Sequence, residues 1–233
     1  MKKTILIFIT IAINSNLLFC QILDVSAEEL TRSGNVFIKD LTKSDYKDID
    51  GSPYLNNKFQ KGKIIFENNK IYSGYIRLNI GAQKFEIKKN INSKETIIEI
   101  DNSVNVLIEE NKYNLQSFKI DNKQVIGILE ECIVFDNLAL YYYPKKNIKM
   151  PTGTGTVAPT TGYSKPPQPK WVDASEFLIL KEDIWYTIPN SFKKLVSKKI
   201  FDSNSLKKYK KSNKLQLRKK ESLIDLVCYF NSI

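Results

Sequence analysis

From Gly62 to Tyr143, apolar and polar residues alternate in runs of four to eight, each closed by a short polar stretch. Tyr72, Ile76, Leu78 and Ile80 share one side of an extended segment, with Ser73, Arg77 and Asn79 opposite. Phe85 and Ile87 alternate with Lys84, Glu86 and Lys88, and Val104, Val106 and Ile108 alternate around Asn105. Period two over such lengths marks half-buried antiparallel strands. Between the runs stand Asn68-Asn69, Asp101-Asn102, Asn111-Lys112, Asp121-Asn122 and Asp136-Asn137. Asn and Asp tolerate the left-handed backbone that tight hairpins need. The pattern predicts a mainly β (α+β) fold: an antiparallel meander forming a curved sheet or partly open barrel.

The flanks read differently. Asn35 to Leu41 predicts a strand, and Ser26 with Glu29 forms a capping-box pattern for a brief helical turn. Residues 150–170 hold five of the eight prolines and predict a long surface loop. Phe177 to Leu180, a Glu182-Asp183 turn and Ile184 to Ile188 then predict a last hairpin. After Pro189 the period becomes helical. Asn190 is the expected N-cap for a helix carrying Phe192, Leu195, Val196 and Ile200. Asp202 or Ser203 opens a second helix with Leu206 and Tyr209, and Leu223, Leu226, Val227 and Phe230 mark a third. These helices are expected to pack beside the sheet.

The opening residues add an address. Lys2 and Lys3 precede an apolar run from Ile5 to Phe19 that ends at Cys20-Gln21. A charged head, a short apolar stretch and then polar chain predict a secretory signal peptide over 1–20. The expected mature chain starts at Gln21 and carries no transmembrane span. A lipoprotein signal also ends at cysteine, so lipid attachment at Cys20 is the alternative; Phe19 stands where such signals carry Gly, Ala or Ser. The organisation is then 1–20 signal, 21–61 N-terminal segment, 62–188 β-meander domain and 189–233 basic helical region. The expected locations are periplasm, outer surface or medium.

Composition narrows the chemistry. The 233 residues include no histidine, which removes the usual neutral-pH base and the commonest metal ligand. Ser-His-Asp and Cys-His enzymes are excluded in their standard form. Three cysteines, one inside the leader, leave little for a zinc site, and no metal or cofactor is expected. Cys132 and Cys228 can form one disulfide in an oxidising compartment, or remain buried thiols in their apolar surroundings.

Charge is uneven. The chain carries a net +11, and residues 190–220 alone hold twelve Lys or Arg against the single acid Asp202. The cations are Lys193, Lys194, Lys198, Lys199, Lys207, Lys208, Lys210, Lys211, Lys214, Arg218, Lys219 and Lys220. Near an anionic surface each such charge adds about 1 kcal/mol. The segment therefore suits an anionic envelope polymer, or it is a solvated helix face. Nucleic acid fits less well, since Arg218 is the only arginine there for bidentate base contacts.

The stretch Gly51-Ser52-Pro53-Tyr54-Leu55-Asn56, leading through Phe59-Gln60-Lys61-Gly62 into a strand, resembles a segment of small exported Bacteroidetes proteins. The ending is similar too: a lysine-rich segment, Lys219-Lys220-Glu221-Ser222-Leu223-Ile224-Asp225-Leu226, then Tyr229-Phe230-Asn231-Ser232. The resemblance implies an exported β-rich protein without an assigned activity, and it brings no catalytic residues.

Other candidate chemistry is thin. Glu130 and Glu131 are neighbours, so in a strand they face opposite ways and cannot flank one glycosidic bond; Asp136 or Glu110 would have to partner one of them. Tyr141-Tyr142-Tyr143, Trp171, Trp185 and Tyr186 suit either cross-strand packing or a stacking platform for sugars or peptides. Gly153-Thr154-Gly155 lacks the lysine and helix of a phosphate loop. Val125-Ile126-Gly127-Ile128-Leu129 is apolar throughout, as expected for a central strand covered by the C-terminal helices or for the wall of a lipid cavity. These residues together predict a non-enzymatic binding or structural protein whose partner is an anionic envelope polymer or another envelope protein. The alternatives are a carrier of a lipid or hydrophobic peptide, and a hydrolase without a motif.

Overall fold

A computed structural model describes residues 36–38, 48–68, 70–120, 123–151 and 168–233. The expected leader over 1–20, the expected helical turn at Ser26 and Glu29, and most of the expected 150–170 loop fall outside the described residues, as does Gly153-Thr154-Gly155.

Thirteen strands and three helices are described. The strands are β1 (Val36–Ile38), β2 (Gln60–Ile65), β3 (Ile71–Asn79), β4 (Lys84–Lys88), β5 (Thr96–Ile100), β6 (Asn105–Ile108) and β7 (Asn111–Ile120). They continue with β8 (Lys123–Val134), β9 (Leu138–Tyr143), β10 (Lys146–Lys149), β11 (Lys170–Asp173), β12 (Glu176–Lys181) and β13 (Ile184–Thr187). The helices are α1 (Phe192–Ser197), α2 (Ser203–Ser212) and α3 (Lys220–Asn231). Eleven strands form one antiparallel sheet in the order β1-β5-β4-β3-β2-β6-β7-β8-β9-β12-β13, curled into a half-barrel with the helices beside it.

The order departs from a plain meander where β1 pairs with β5, where the chain leaves the sheet for β10 and β11, and at β6. β6 returns to the free edge of β2, so β4, β3 and β2 lie between β5 and its successor. The link from Ile100 to Asn105 reaches at most about 18 Å. Four strand spacings on a flat sheet need about 19 Å, so the sheet has to curl. Its inner side is one core: Ile64, Ile76, Phe85, Ile98, Val104 and Val106 are at most marginally exposed. A second curl follows: Phe118 of β7 meets Trp185 of β13 at 5.6 Å although β8, β9 and β12 separate them.

The helices cover the opposite face of that second half. Leu195, Leu206, Leu223, Leu226 and Val227 are fully excluded from solvent and pack on Leu138, Leu140 and Ile179. Ala139, Tyr141 and Leu178, one residue out of phase, fill the aromatic core on the other side. β9 is thus buried on both faces, which explains why its Leu-Ala-Leu-Tyr sequence does not alternate.

Several expectations need correcting. The apolar stretch of β8 is not roofed by the helices: Ile128 and Leu129 enter the two separate sheet cores, while Ile126 stays 67% exposed. The hairpin before β7 turns at Glu109-Glu110, with Glu109 left-handed at φ 54°, and Asn111-Lys112 already belong to the strand. Ser191 rather than Asn190 caps α1, accepting from the Lys194 N–H. Lys199, at φ 53°, closes the turn that follows α1, so the buried Ile200 lies beyond it. The Glu182-Asp183 turn holds, both residues taking the positive φ of a tight hairpin.

The ends of the 150–170 loop pair as a two-stranded β10–β11 ribbon. It is pinned to the segment before β2: the Asp50 N–H donates to the Pro169 carbonyl at 2.8 Å, and the Trp171 N–H donates to the Asp50 carbonyl at 2.9 Å. Lys146 Nζ donates to the carbonyls of Ser52 and Tyr54 at 2.8 Å. The Trp171 ring lies on Gly81 so closely that a Cβ there would sit 2.6 Å from it.

Candidate functional site

The register of five strands sets one row of side chains across the sheet. Val106 pairs with Tyr113, Tyr113 with Glu130, Glu130 with Tyr142, and Tyr142 with Phe177. A β-bulge between Glu131 and Ile133 ends the row's phase just beyond Glu130. Above this row lies a cleft of about 660 Å³, walled by the segment before β2 on one side and by the start of α3 on the other. Tyr142, Phe177 and Arg218 also line a neighbouring hollow of about 680 Å³ that runs toward Ser175, Asn190 and Lys194. The two form one groove along the boundary between sheet and helices.

Glu130 is the buried centre of the groove, 5% exposed. Tyr113 donates its hydroxyl to Oε2 at 3.1 Å, and Lys220 Nζ donates to Oε1 and to Asn111 Oδ1 (3.0 Å). Burial alone would lower the Lys220 ammonium, but its bond and charge pairing with Glu130 outweigh that and raise it. Burial, then the Glu130 charge, pushes the Tyr113 phenol well above the ordinary range. Tyr142 and Phe177 form a tilted aromatic pair with centroids 4.9 Å apart, half-buried on the groove floor.

Glu131 faces the other way, as neighbours in a strand must, and pairs with Lys112 (2.8 Å) and Asn114 (2.6 Å). Glu110 and Asp136 lie exposed in turns, and neither lines the groove. Of the aromatic candidates, Tyr142 alone lines it. Tyr141 and Tyr143 are core residues with Trp185 against them, Tyr186 packs with the helices, and Trp171 covers Gly81.

The cations divide. Lys193, Lys194, Lys198, Lys199, Lys207, Lys208, Lys210, Lys211, Lys214, Arg218 and Lys219 are exposed; Lys220 is half-buried in its pair with Glu130. Asp202 does not neutralise the exposed set across the helices: it caps α2 by accepting from the Ser205 N–H at 2.8 Å. Lys210 stacks over the Phe192 ring at 4.1 Å.

Cys132 and Cys228 carry free thiols rather than a bridge. Cys228 is exposed instead of buried. Cys132 is half-buried, and burial followed by the nearby Glu130 charge pushes its thiol up to about 12.

The sequence reading missed a second buried polar cluster. Glu86, expected on the solvent face, is 5% exposed. It accepts from Arg77 through Nε at 3.1 Å and through Nη2, and from the Tyr54 hydroxyl at 2.9 Å. The Arg77 guanidinium lies over the Tyr54 ring at 3.6 Å and the Phe59 ring at 4.4 Å. The pre-β2 segment roofs this face. The local alternation of β4 contains no sign of that roof, though the aromatic residues Tyr54 and Phe59 just ahead of β2 are a hint of it.

Comparison of the chain with family models, with curated proteins and with solved structures finds no match, so the fold and the groove stand on their own physical reading.

Proposed function

We propose that this is an exported, non-enzymatic binding protein whose lysine-rich C-terminal helices hold an anionic polymer of the cell envelope. The observation that carries the reading is the segregation of charge: eleven of the twelve cations between 190 and 220 are exposed, and the one acid among them is committed to a helix cap. Apolar residues of the same helices are spent on the sheet, so the lysine side chains are left to solvent. Clustered like charge destabilises the isolated protein. It becomes favourable against a polyanion, where counterions are released. Among the described residues no helix is long and apolar enough to cross a membrane. Nucleic acid remains a poor partner for a chain with a leader of export type.

The test is retention on immobilised heparin, as a generic polyanion, in a salt gradient. Retention at low salt that falls steeply as the Debye length shortens is expected. Reversing Lys207, Lys208, Lys210 and Lys211 to Glu is expected to abolish it. A chain that flows through at low salt would end this reading.

A further inference from the structure

We infer that the groove between sheet and helices is a binding site for a neutral oligosaccharide, separate from the lysine surface and independent of it. The argument starts from charge balance. In the cleft, Arg218, Lys219 and Lys220 stand with Glu130 and with Glu221, which lies in the first turn of α3. The neighbouring hollow adds Lys194 against Asp173 and Glu176. With Arg218, which lines both, counted once, four cations meet four carboxylates, in a chain whose net charge is +11. A groove without net charge steers no ion toward itself, so shape and hydrogen bonding decide what it holds.

The floor and walls define that shape. Tyr142 and Phe177 line both hollows, half-buried, with ring centroids 4.9 Å apart. They are register partners on β9 and β12, so the backbone fixes the platform. An aromatic face of this kind receives the C–H face of a sugar ring. Asn56 Oδ1 accepts from the Lys58 N–H at 3.0 Å and Asn190 Oδ1 from Arg218 Nε at 3.3 Å, which orients both amides and leaves their NH2 groups as donors. Glu130 receives bonds from Tyr113 and Lys220, two of the roughly four that a carboxylate accepts, in the wall of the cleft. An apolar floor rimmed by planar donors and acceptors matches a ring that carries hydroxyls around its edge. The hollows, about 660 and 680 Å³, each fall within the range of about 300–1,000 Å³ of small-molecule sites, so together they suit a chain of several sugar units.

Other ligand classes use less of this. A lipid chain would strip water from the charged walls without replacing their hydrogen bonds. An extended peptide takes main-chain bonds from an open strand edge, but Tyr113, Glu130 and Tyr142 each have a strand partner on both sides. A polyanion gains nothing from balanced walls.

Isothermal titration of the purified protein with cellotetraose, maltotetraose and mannotetraose, all neutral, tests the site. Saturable one-to-one binding of at least one is expected, with a Kd that changes less than about twofold between about 50 and 500 mM NaCl, because no charge is screened. Tyr142→Leu, which keeps an apolar side chain but removes the ring, is expected to raise that Kd about tenfold or more. Asn56→Ala, at an exposed position, is expected to raise it several-fold. The combined changes Lys207→Glu, Lys208→Glu, Lys210→Glu and Lys211→Glu are expected to leave it unaltered. Failure of all three sugars to bind, a Kd that follows salt, or indifference to Tyr142→Leu would overturn the proposal. Heparin retention on the same preparation separates the two sites. Retention without sugar binding removes the groove assignment alone, and sugar binding without retention removes the polyanion reading alone.

Discussion

Lys220, in the first turn of α3, donates to the buried carboxylate of Glu130 in the middle of β8, ninety positions earlier in the chain. This bond, with the Tyr113 hydroxyl on the other carboxylate oxygen, ties the C-terminal helix to the centre of the sheet.

Breaking that pair one side at a time is expected to be costly. Lys220→Met leaves the buried Glu130 carboxylate with only the Tyr113 hydroxyl donating to it and removes the donor to Asn111 Oδ1, and should cost about 1–3 kcal/mol. Loss of a fully buried partner costs more, but the Lys220 side chain is 33% exposed. The double change Glu130→Met with Lys220→Met should recover most of the loss. Urea unfolding of the four proteins in the cycle gives the coupling directly, and simple additivity would show that the pair does not act as a unit. Because the Lys220 ammonium is raised in the folded state, its contribution is complete below the ordinary lysine range and is lost as pH rises through the raised value.

Cys132 and Cys228 should differ in reactivity. Cys228 is exposed, whereas the Cys132 thiol is half-buried and pushed up to about 12, so it is almost wholly protonated at pH 8. Iodoacetamide on the folded protein should modify Cys228 well before Cys132, with equal labelling only after unfolding. Peptide mapping reads this out, and a Cys132–Cys228 linked peptide under non-reducing conditions would contradict the free thiols.

Helix α2 should be acid-sensitive through its cap. The Asp202 carboxyl is lowered by the hydrogen bonds it accepts from Ser205 and neighbouring backbone N–H groups. A depressed folded-state value means that its stabilisation is present above the ordinary carboxylate range and is lost as pH falls through the folded value. Asp202→Ala should therefore be less stable than the parent near neutrality, and the gap should shrink as pH falls below the ordinary carboxylate range. A gap independent of pH would assign the effect to something other than the charged cap.

Gly81→Ala tests how the β10–β11 ribbon is clamped. The added methyl would lie 2.6 Å from the Trp171 ring and 3.2 Å from Pro53. Overpacking of this kind costs about 1–3 kcal/mol. Tryptophan emission should shift toward that of a more solvated indole as the ring is displaced, a change that an unrelated destabilisation would not produce before unfolding.

Much of the architecture is legible in the order of residues alone, because it depends on contacts between close neighbours. Alternation marks the strands of the half-barrel, the Glu182-Asp183 pair marks its hairpin, and the i, i+3, i+4 apolar positions of α1–α3 mark their buried stripes. The concentration of cations after Pro189 is likewise plain from composition, and so is the lack of histidine. What required the tertiary structure is whatever depends on pairing across long separations. The successive pairing of β6, β7, β8, β9 and β12 places Val106, Tyr113, Glu130, Tyr142 and Phe177 in one row, and its last step joins Tyr142 to Phe177 past the intervening β10–β11 ribbon. Glu86 and Glu130 look like ordinary solvent-facing acids until a distant segment or helix roofs them. Local periodicity reports which face of an element a side chain occupies. Whether water or another part of the chain meets that face is settled only when the sheet curls and the helices dock.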